Sequence, residues 1–125
     1  MIGEIQRRMA ATAANRIPTR IQPAIVQLAE AYDYAYDVRA DRWQYAVEIH
    51  SLRRLGLTAR DLKWLLSNGY AEHAREVSKP QDRARKFRAG RKLVFTDQTC
   101  FVATAAGMSL TTIEVLPPVA ARRAA

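Results

Sequence analysis

Residues 42–68 constrain the fold of this chain more than any other stretch, because two helical patterns lie there on either side of one glycine. Asp41 is a residue type favoured immediately before a helix, and Gln44 follows it at the spacing of a capping box. This pattern predicts a helix from Arg42 to about Leu55. Gly56 then supplies the glycine that commonly follows the last turn of a helix.

A second helix is predicted directly after this turn, over residues 58–68. Thr58 suits its N-cap position, and Asp61 stands three residues later. Asn68-Gly69 marks its end, since both residues tolerate the backbone conformation that closes a helix. Two helices joined by a three-residue turn that contains glycine form the helix-turn-helix pattern.

The second helix has one apolar side and one polar side when it is placed on a helical wheel at 100° per residue. Leu62 and Leu65 share the apolar side, which is expected to pack on the core. A polar helix face of this kind fits the major groove of DNA, where arginine pairs with guanine and lysine or serine contacts bases or phosphates. The candidate nucleic-acid-binding residues of this helix are Thr58, Arg60, Lys63, Trp64 and Ser67. Because Trp64 is costly to leave in water, it must pack on its own domain, on a partner or on nucleic acid.

Positive charge is unevenly distributed along the chain. The formal net charge is +8, and residues 79–92 hold seven cations and a single acid. Such a segment is expected to follow phosphates, with binding that weakens steeply as salt is raised. Its candidate contact residues are Lys79, Arg83, Arg85, Lys86, Arg88, Arg91 and Lys92.

The remaining elements are assigned from residue periodicity. Before these two helices, another helix is predicted to begin at Pro23. Apolar residues recur there at helical spacing, and proline fits the first turn of a helix. Strands are predicted at 70–77, 93–96 and 99–103, with Asp97-Gln98 as a tight turn. Thr104 is expected to cap a short last helix that runs to about residue 114.

Three segments follow from these assignments. Residues 1–20 are expected to form a flexible basic N-terminal arm, residues 21–116 one domain, and residues 117–125 a C-terminal tail. The fold class is α+β and mostly α, with a three-helix core, a small antiparallel sheet and a short C-terminal helix.

The order of these elements resembles that of winged helix-turn-helix proteins. The stretch "LLSNGYAEHAREV", residues 65–77, looks like the end of their recognition helix and the first strand of their wing. The stretch "CFVATAAG", residues 100–107, is similar to the second wing strand and next helix of MarR-like regulators. The resemblance implies that the helix at 58–68 reads the major groove and that the wing at 79–92 touches the DNA backbone. The wing is longer and more basic than usual, and the C-terminal helix is shorter than the dimerisation helices of MarR-like proteins.

The expected function is therefore binding of duplex DNA, as a transcriptional regulator or as an accessory factor of a mobile element. RNA is a possible partner with the same charge requirement. A different alternative is an adaptor that binds protein, because fold does not fix function. That alternative rests on "AYDYAYD", residues 31–37, where Tyr32, Tyr34 and Tyr36 cannot all face the core. Tyrosine exposed there would suit a homo-oligomer or a protein partner.

Several classes of protein are not indicated. No apolar run is long enough to cross a membrane, and none resembles a secretory signal. One cysteine and two histidines offer no metal-ligand spacing, and no phosphate loop or catalytic carboxylate pair is found. We therefore expect no enzyme activity, no metal and no cofactor, and a cytoplasmic, nucleoid-associated location.

Overall fold

The computed structural model describes residues 17–90 and 93–110, which form an α+β domain. Among these residues, no helix is both long and apolar enough to cross a lipid bilayer. The helices and strands are α1 (Gln22–Asp37), β1 (Val47–Glu48), α2 (Ile49–Arg54), α3 (Ala59–Ser67), β2 (Ala71–Glu76), β3 (Phe87–Ala89), β4 (Thr99–Ala103) and α4 (105–110). Short 3-10 helices lie at Thr19–Ile21 and Arg42–Tyr45.

The predicted first helix is confirmed as α1. It has Pro23 in its first turn, and Ala24, Ile25 and Leu28 are buried against the core. A proline there costs no hydrogen bond, because the first N–H groups of a helix have no partner within it.

The folded domain begins before the predicted boundary. Ile17 and Ile21 are both buried in the main core, and residues 19–21 form a 3-10 turn that leads into α1. The prediction that residue 20 ends a flexible arm is therefore wrong for residues 17–20. Residues 1–16 of that arm lie outside the described part of the chain.

The single helix predicted over residues 42–55 is wrong. The chain forms a 3-10 turn, then the extended pair Val47–Glu48, and only then the helix α2. Val47 pairs with Phe101 of β4, and this cross-strand contact requires extended backbone. Asp41 does act as a cap, but it accepts a hydrogen bond from the Trp43 N–H at 2.7 Å as part of the 3-10 turn.

The helix predicted over residues 58–68 is confirmed as α3. Thr58 Oγ1 accepts the Asp61 N–H at 3.3 Å, and Asp61 Oδ2 accepts the Thr58 N–H at 2.9 Å. This reciprocal capping box satisfies two N–H groups that the helix would leave unpaired. Gly56 and Gly69, on either side of α3, have φ angles of +97° and +73°. Those angles explain why glycine stands at both turns.

The sheet is antiparallel, with the strand order β1-β4-β2-β3. Two of its strands, β2 and β4, were predicted within one or two residues. The predicted strand at 93–96 is wrong, because the partner of β2 is instead Phe87–Ala89, inside the stretch predicted as a loop. Phe87 covers apolar residues on one face of the sheet, which gives this basic segment a reason to pair.

Each face of the sheet has its own apolar cluster. The main core joins α1, α2 and α3 to one face, where Phe101 is fully buried. A smaller cluster on the other face consists of Ala46, Cys100 and Val102, with Trp43 and Phe87 packed against it. The second cluster fixes the hairpin of β2 and β3 to the body of the domain.

The C-terminal helix begins where the sequence predicts. Thr104 Oγ1 accepts the Gly107 N–H at 3.1 Å, which caps α4. Gly107 is buried so closely beneath Tyr70 that a Cβ atom there would collide with the Tyr70 carbonyl oxygen. The predicted end of this helix near residue 114 and the tail at 117–125 lie outside the described residues.

Candidate nucleic-acid interface

The outer side of α3 carries a small polar surface. Arg60, Lys63 and Ser67 are exposed, while Leu62 and Leu65 are fully buried on the opposite side. Within the described part of the chain, none of the three exposed residues forms an ion pair or a side-chain hydrogen bond. Their donors are therefore open to a ligand that approaches this side of α3.

Two other residues predicted to contact nucleic acid have structural contacts in α3. The Thr58 hydroxyl accepts the capping hydrogen bond at the start of the helix. The Trp64 ring is half-buried against the main core and lies 5.5 Å from the Tyr70 ring, centroid to centroid. Trp64 therefore packs mainly within its own domain, as an indole opposite an apolar stripe requires if it is to avoid water.

The wing is the hairpin of β2 and β3 with its connecting residues 77–86. The Val77 N–H donates to the Lys86 carbonyl at 2.8 Å, and the Lys86 N–H donates to Ser78 Oγ at 2.8 Å. At the tip, Asp82 accepts the Lys79 N–H at 2.7 Å, and this hydrogen bond lowers the pKa of the Asp82 carboxyl. The wing is thus held in a defined turn and is not the open loop that its composition suggests.

Most of the cations predicted in the wing are exposed. Lys86 Nζ is exposed and lies 3.4 Å from Asp82 Oδ1, a long contact of little energetic weight. The exposed wing cations are Lys79, Arg83, Lys86 and Arg88. The predicted contacts Arg91 and Lys92 lie outside the described residues.

Arg85 differs from its neighbours because its guanidinium is bound entirely within the domain. Nε and Nη2 donate to the Glu76 carboxylate at 3.1 and 3.0 Å, and Nη1 donates to the carbonyls of Gln44 and Ala46. Nη2 also contacts Cys100 Sγ at 3.5 Å, which accounts for all five N–H groups. The hydrogen bonds from Arg85 lower the pKa of Glu76. Arg85 therefore anchors the wing and has no donor left for a phosphate, contrary to its predicted role.

A second ion pair, which the sequence did not indicate, joins an exposed arginine at the start of the domain to a buried carboxylate of α3. Arg20 Nη2 lies 2.7 Å from Asp61 Oδ1, and the Asp61 side chain is only 3% exposed. The hydrogen bond from Arg20 is the main reason that the pKa of Asp61 falls to about 2. Asp61 thus caps α3 and binds residue 20 at the same time. Its capping role was readable from the sequence, but its partner was not.

An open groove of about 900 Å³ lies along β2, β3 and the 3-10 turn at Arg42–Tyr45. Leu66 of α3 lines it on one side, and Phe87 and Arg88 of β3 line it on the other. The exposed polar residues of α3, Arg60, Lys63 and Ser67, are not among those that line this groove.

No metal-ligand cluster occurs among residues 17–90 and 93–110. The Cys100 thiol is buried, and burial raises its pKa to about 11. A thiol in this state is a poor nucleophile and a poor metal ligand at neutral pH.

Comparisons with protein-family models, with curated proteins and with solved structures find no match to this chain.

Proposed function

We propose that this protein is a winged helix-turn-helix protein that binds duplex DNA, as a transcriptional regulator or as an accessory factor of a mobile element. In this proposal α3 enters the major groove and the wing contacts the phosphate backbone. The location that goes with this role is the cytoplasm, in association with the nucleoid.

The order of the elements supports the proposal. Two helices joined by a turn with Gly56 precede an antiparallel hairpin, and the short strand β1 between α1 and α2 pairs with the last strand, β4. This arrangement is compatible with a winged helix, in which the sheet packs beside the recognition helix and extends as the wing. The additional edge strand β3 lies within the wing.

The observation that carries the proposal is the set of uncommitted donors on α3. Arg42 and Arg85 are bound to carboxylates of their own domain, whereas Arg60 and Lys63 lie exposed one turn apart on the same side of α3. Arginine at such a position is suited to a bidentate contact with guanine, and lysine to a phosphate or a base. The exposed cations Lys79, Arg83 and Lys86 on the wing add contacts that do not depend on sequence.

The proposal is tested by fluorescence-anisotropy titration of the protein with random duplex DNA, single-stranded DNA and duplex RNA, each at two salt concentrations. Duplex DNA is expected to bind most tightly, with an affinity that falls steeply with salt. Preferential binding of duplex RNA would replace DNA by RNA as the partner, and absence of binding to all three at low salt would contradict the proposal.

A second candidate function, binding of a protein partner or a second copy, is favoured by one surface. Tyr34 is 54% exposed and Tyr36 79% exposed, whereas Tyr32 packs on the core. The Tyr34 and Tyr45 rings meet edge to face at 4.8 Å between centroids. Exposed tyrosine pairs of this kind are common in protein interfaces. Light scattering during gel filtration tests for self-association, and a Tyr34→Ser, Tyr36→Ser variant would abolish any oligomer that uses this surface.

A further inference from the structure

A second, smaller cleft lies at the wing end of the sheet and shares Arg88 with the groove of about 900 Å³. It has a volume of about 340 Å³ and lies between the sheet and the residues Gly90, Val94 and Thr96. Its polar lining comes from Arg75, Arg88, Thr96 and Thr99. Arg75 was not among the residues singled out from the sequence.

Three of these residues form one row across three strands. Arg75 of β2 stands directly opposite Arg88 of β3, and it also stands directly opposite Thr99 of β4. Residues directly opposite in neighbouring strands project from the same face of a sheet. Both guanidinium groups therefore emerge side by side, next to a hydroxyl group.

Two like charges in directly opposed positions destabilise a sheet unless another charge compensates them. Three other arginines of the domain have such compensation, because Arg20, Arg42 and Arg85 each pair with a carboxylate. In the described part of the chain, neither Arg75 nor Arg88 forms an ion pair. The domain thus places two positive charges together in a cleft, and no carboxylate of the described residues lies within ion-pair distance of either guanidinium.

Thr99 contributes a third donor to this row. Its side chain is almost entirely buried, at 3% exposure, and its Oγ1 accepts the Thr96 N–H at 2.8 Å. A hydroxyl that accepts one hydrogen bond still has its own hydrogen to donate. Thr99 lines the cleft together with Arg75 and Arg88.

We propose that this cleft binds a phosphate group, held between the Arg75 and Arg88 side chains with the Thr99 hydroxyl as a third donor. A phosphate offers several oxygens in different directions, so it can accept from two arginine forks and a hydroxyl at once. The phosphate group belongs either to the DNA backbone or to a small phosphorylated molecule. Its binding as a DNA contact rests on the proposed function, whereas its binding as a free anion does not.

The free-anion arm of the test uses NMR. Inorganic phosphate and pyrophosphate are titrated into the ¹⁵N-labelled protein, with sodium chloride at matched ionic strength as the reference. The backbone amides of Arg75, Arg88 and Thr99 are expected to shift with phosphate and not with chloride. Arg75→Gln and Arg88→Gln are expected to weaken this binding at least tenfold, while Arg39→Gln, which removes an exposed arginine beyond the far end of α1, leaves it unchanged.

The DNA arm measures the dependence of duplex affinity on salt for the same variants. A backbone contact predicts that Arg75→Gln lowers the slope of log affinity against log salt by about 1, because one fewer counterion is released. Arg39→Gln is expected to leave the slope unchanged.

Thermal denaturation is the control that shows whether the variants are folded. Relief of the like-charge pair predicts that Arg75→Gln and Arg88→Gln melt at or slightly above the wild-type temperature, and that phosphate raises the melting temperature of the wild type only. A role in folding alone predicts the opposite order of melting temperatures.

The outcomes separate the two proposals. Phosphate binding that Arg75→Gln abolishes, with no change in the duplex salt slope, assigns the cleft to a small phosphorylated molecule. Two results together would contradict the phosphate site in the cleft. Arg75→Gln would bind duplex DNA with the wild-type slope of log affinity against log salt, and neither phosphate nor pyrophosphate would shift the backbone amides. The proposed function would stand in that case. Duplex binding that depends on Arg60 and Lys63 but not on Arg75 is the expected pattern if only the DNA contact of the cleft is wrong.

Discussion

The side-chain amide of Gln44 hydrogen-bonds both backbone polar groups of Arg85, 41 residues away. Gln44 Nε2 donates to the Arg85 carbonyl at 2.9 Å, and Gln44 Oε1 accepts the Arg85 N–H at 2.8 Å. A primary amide used in this way takes the place of a neighbouring strand. It satisfies the backbone of the wing at a point where no strand pairs with it. Together with the Arg85 guanidinium, this contact makes the position of the wing a property of the domain core.

Replacement of Arg85 by alanine is expected to lower the stability of the domain, whereas replacement of Arg83 is expected to leave it nearly unchanged. Arg85→Ala removes the hydrogen bonds to the backbone carbonyls of residues 44 and 46 and takes the ion-pair partner from the half-buried Glu76 carboxylate, so we expect a loss of about 2–3 kcal/mol in the free energy of unfolding. Arg83→Ala removes an exposed side chain and is expected to change stability by less than about 0.5 kcal/mol. The measurement is urea denaturation of both variants.

Duplex DNA binding is expected to depend directly on Arg83, which matters little for stability. Arg83→Ala is expected to lower the salt slope of binding, because it removes a phosphate contact without disturbing the wing. Equal stability of the two variants would contradict the anchoring role of Arg85.

Gly107→Ala is expected to destabilise the domain by about 1–3 kcal/mol, because the added methyl group meets the Tyr70 carbonyl oxygen and forces α4 away from β2. The control is Ala106→Ser on the same helix, where the side chain is exposed. Urea midpoints of the two variants provide the comparison. A Gly107→Ala midpoint equal to that of the control would show that α4 is not held against Tyr70.

Acid is expected to remove the stabilising effect of the Arg20–Asp61 pair. The pKa of Asp61 lies at about 2 in the folded protein, below its ordinary value of 3.8. Its contribution to stability is therefore complete above pH 3.8 and is lost as the pH falls toward 2. Asp61→Asn should be less stable than the wild type at pH 6, and the gap should narrow at pH 2.5. A gap of constant size across this range, in urea midpoints, would contradict the assignment.

Cys100 is expected to resist alkylation in the folded protein. Its thiol is buried and has a pKa of about 11, so little thiolate is present and the sulfur is out of reach of reagent at pH 8. Iodoacetamide should modify it only as fast as the domain opens, and rapidly in 6–8 M urea. Because Cys100 is the single cysteine of the sequence, mass spectrometry reports on this site alone. Rapid modification of the native protein would show that the smaller apolar cluster is open.

The elements whose signals are local were predictable from the sequence. Thr58 and Asp61 lie three residues apart, so the capping box at the start of α3 can be recognised without knowledge of the fold. Pro23 at the start of α1 and Thr104 before α4 are local signals of the same kind.

The failures come from contacts between residues far apart in the chain. The helix predicted over 42–55 satisfied local rules, but Val47 pairs with Phe101 and Gln44 pairs with Arg85, and no local pattern indicates either partner. The same reason applies to the candidate site. Arg85 looks like its neighbours in a basic stretch, and only the fold brings Glu76 within reach of it.

The most direct test of the central claim compares duplex DNA binding by the wild type with binding by the Arg60→Ala, Lys63→Ala double variant. Both side chains are exposed and unpaired within the described part of the chain, so the double variant is expected to fold like the wild type in circular dichroism. We expect its affinity for duplex DNA to fall at least tenfold and its salt slope to decrease by about 1–2. A folded double variant with the affinity and the salt slope of the wild type would contradict the assignment of α3 as the DNA-reading helix.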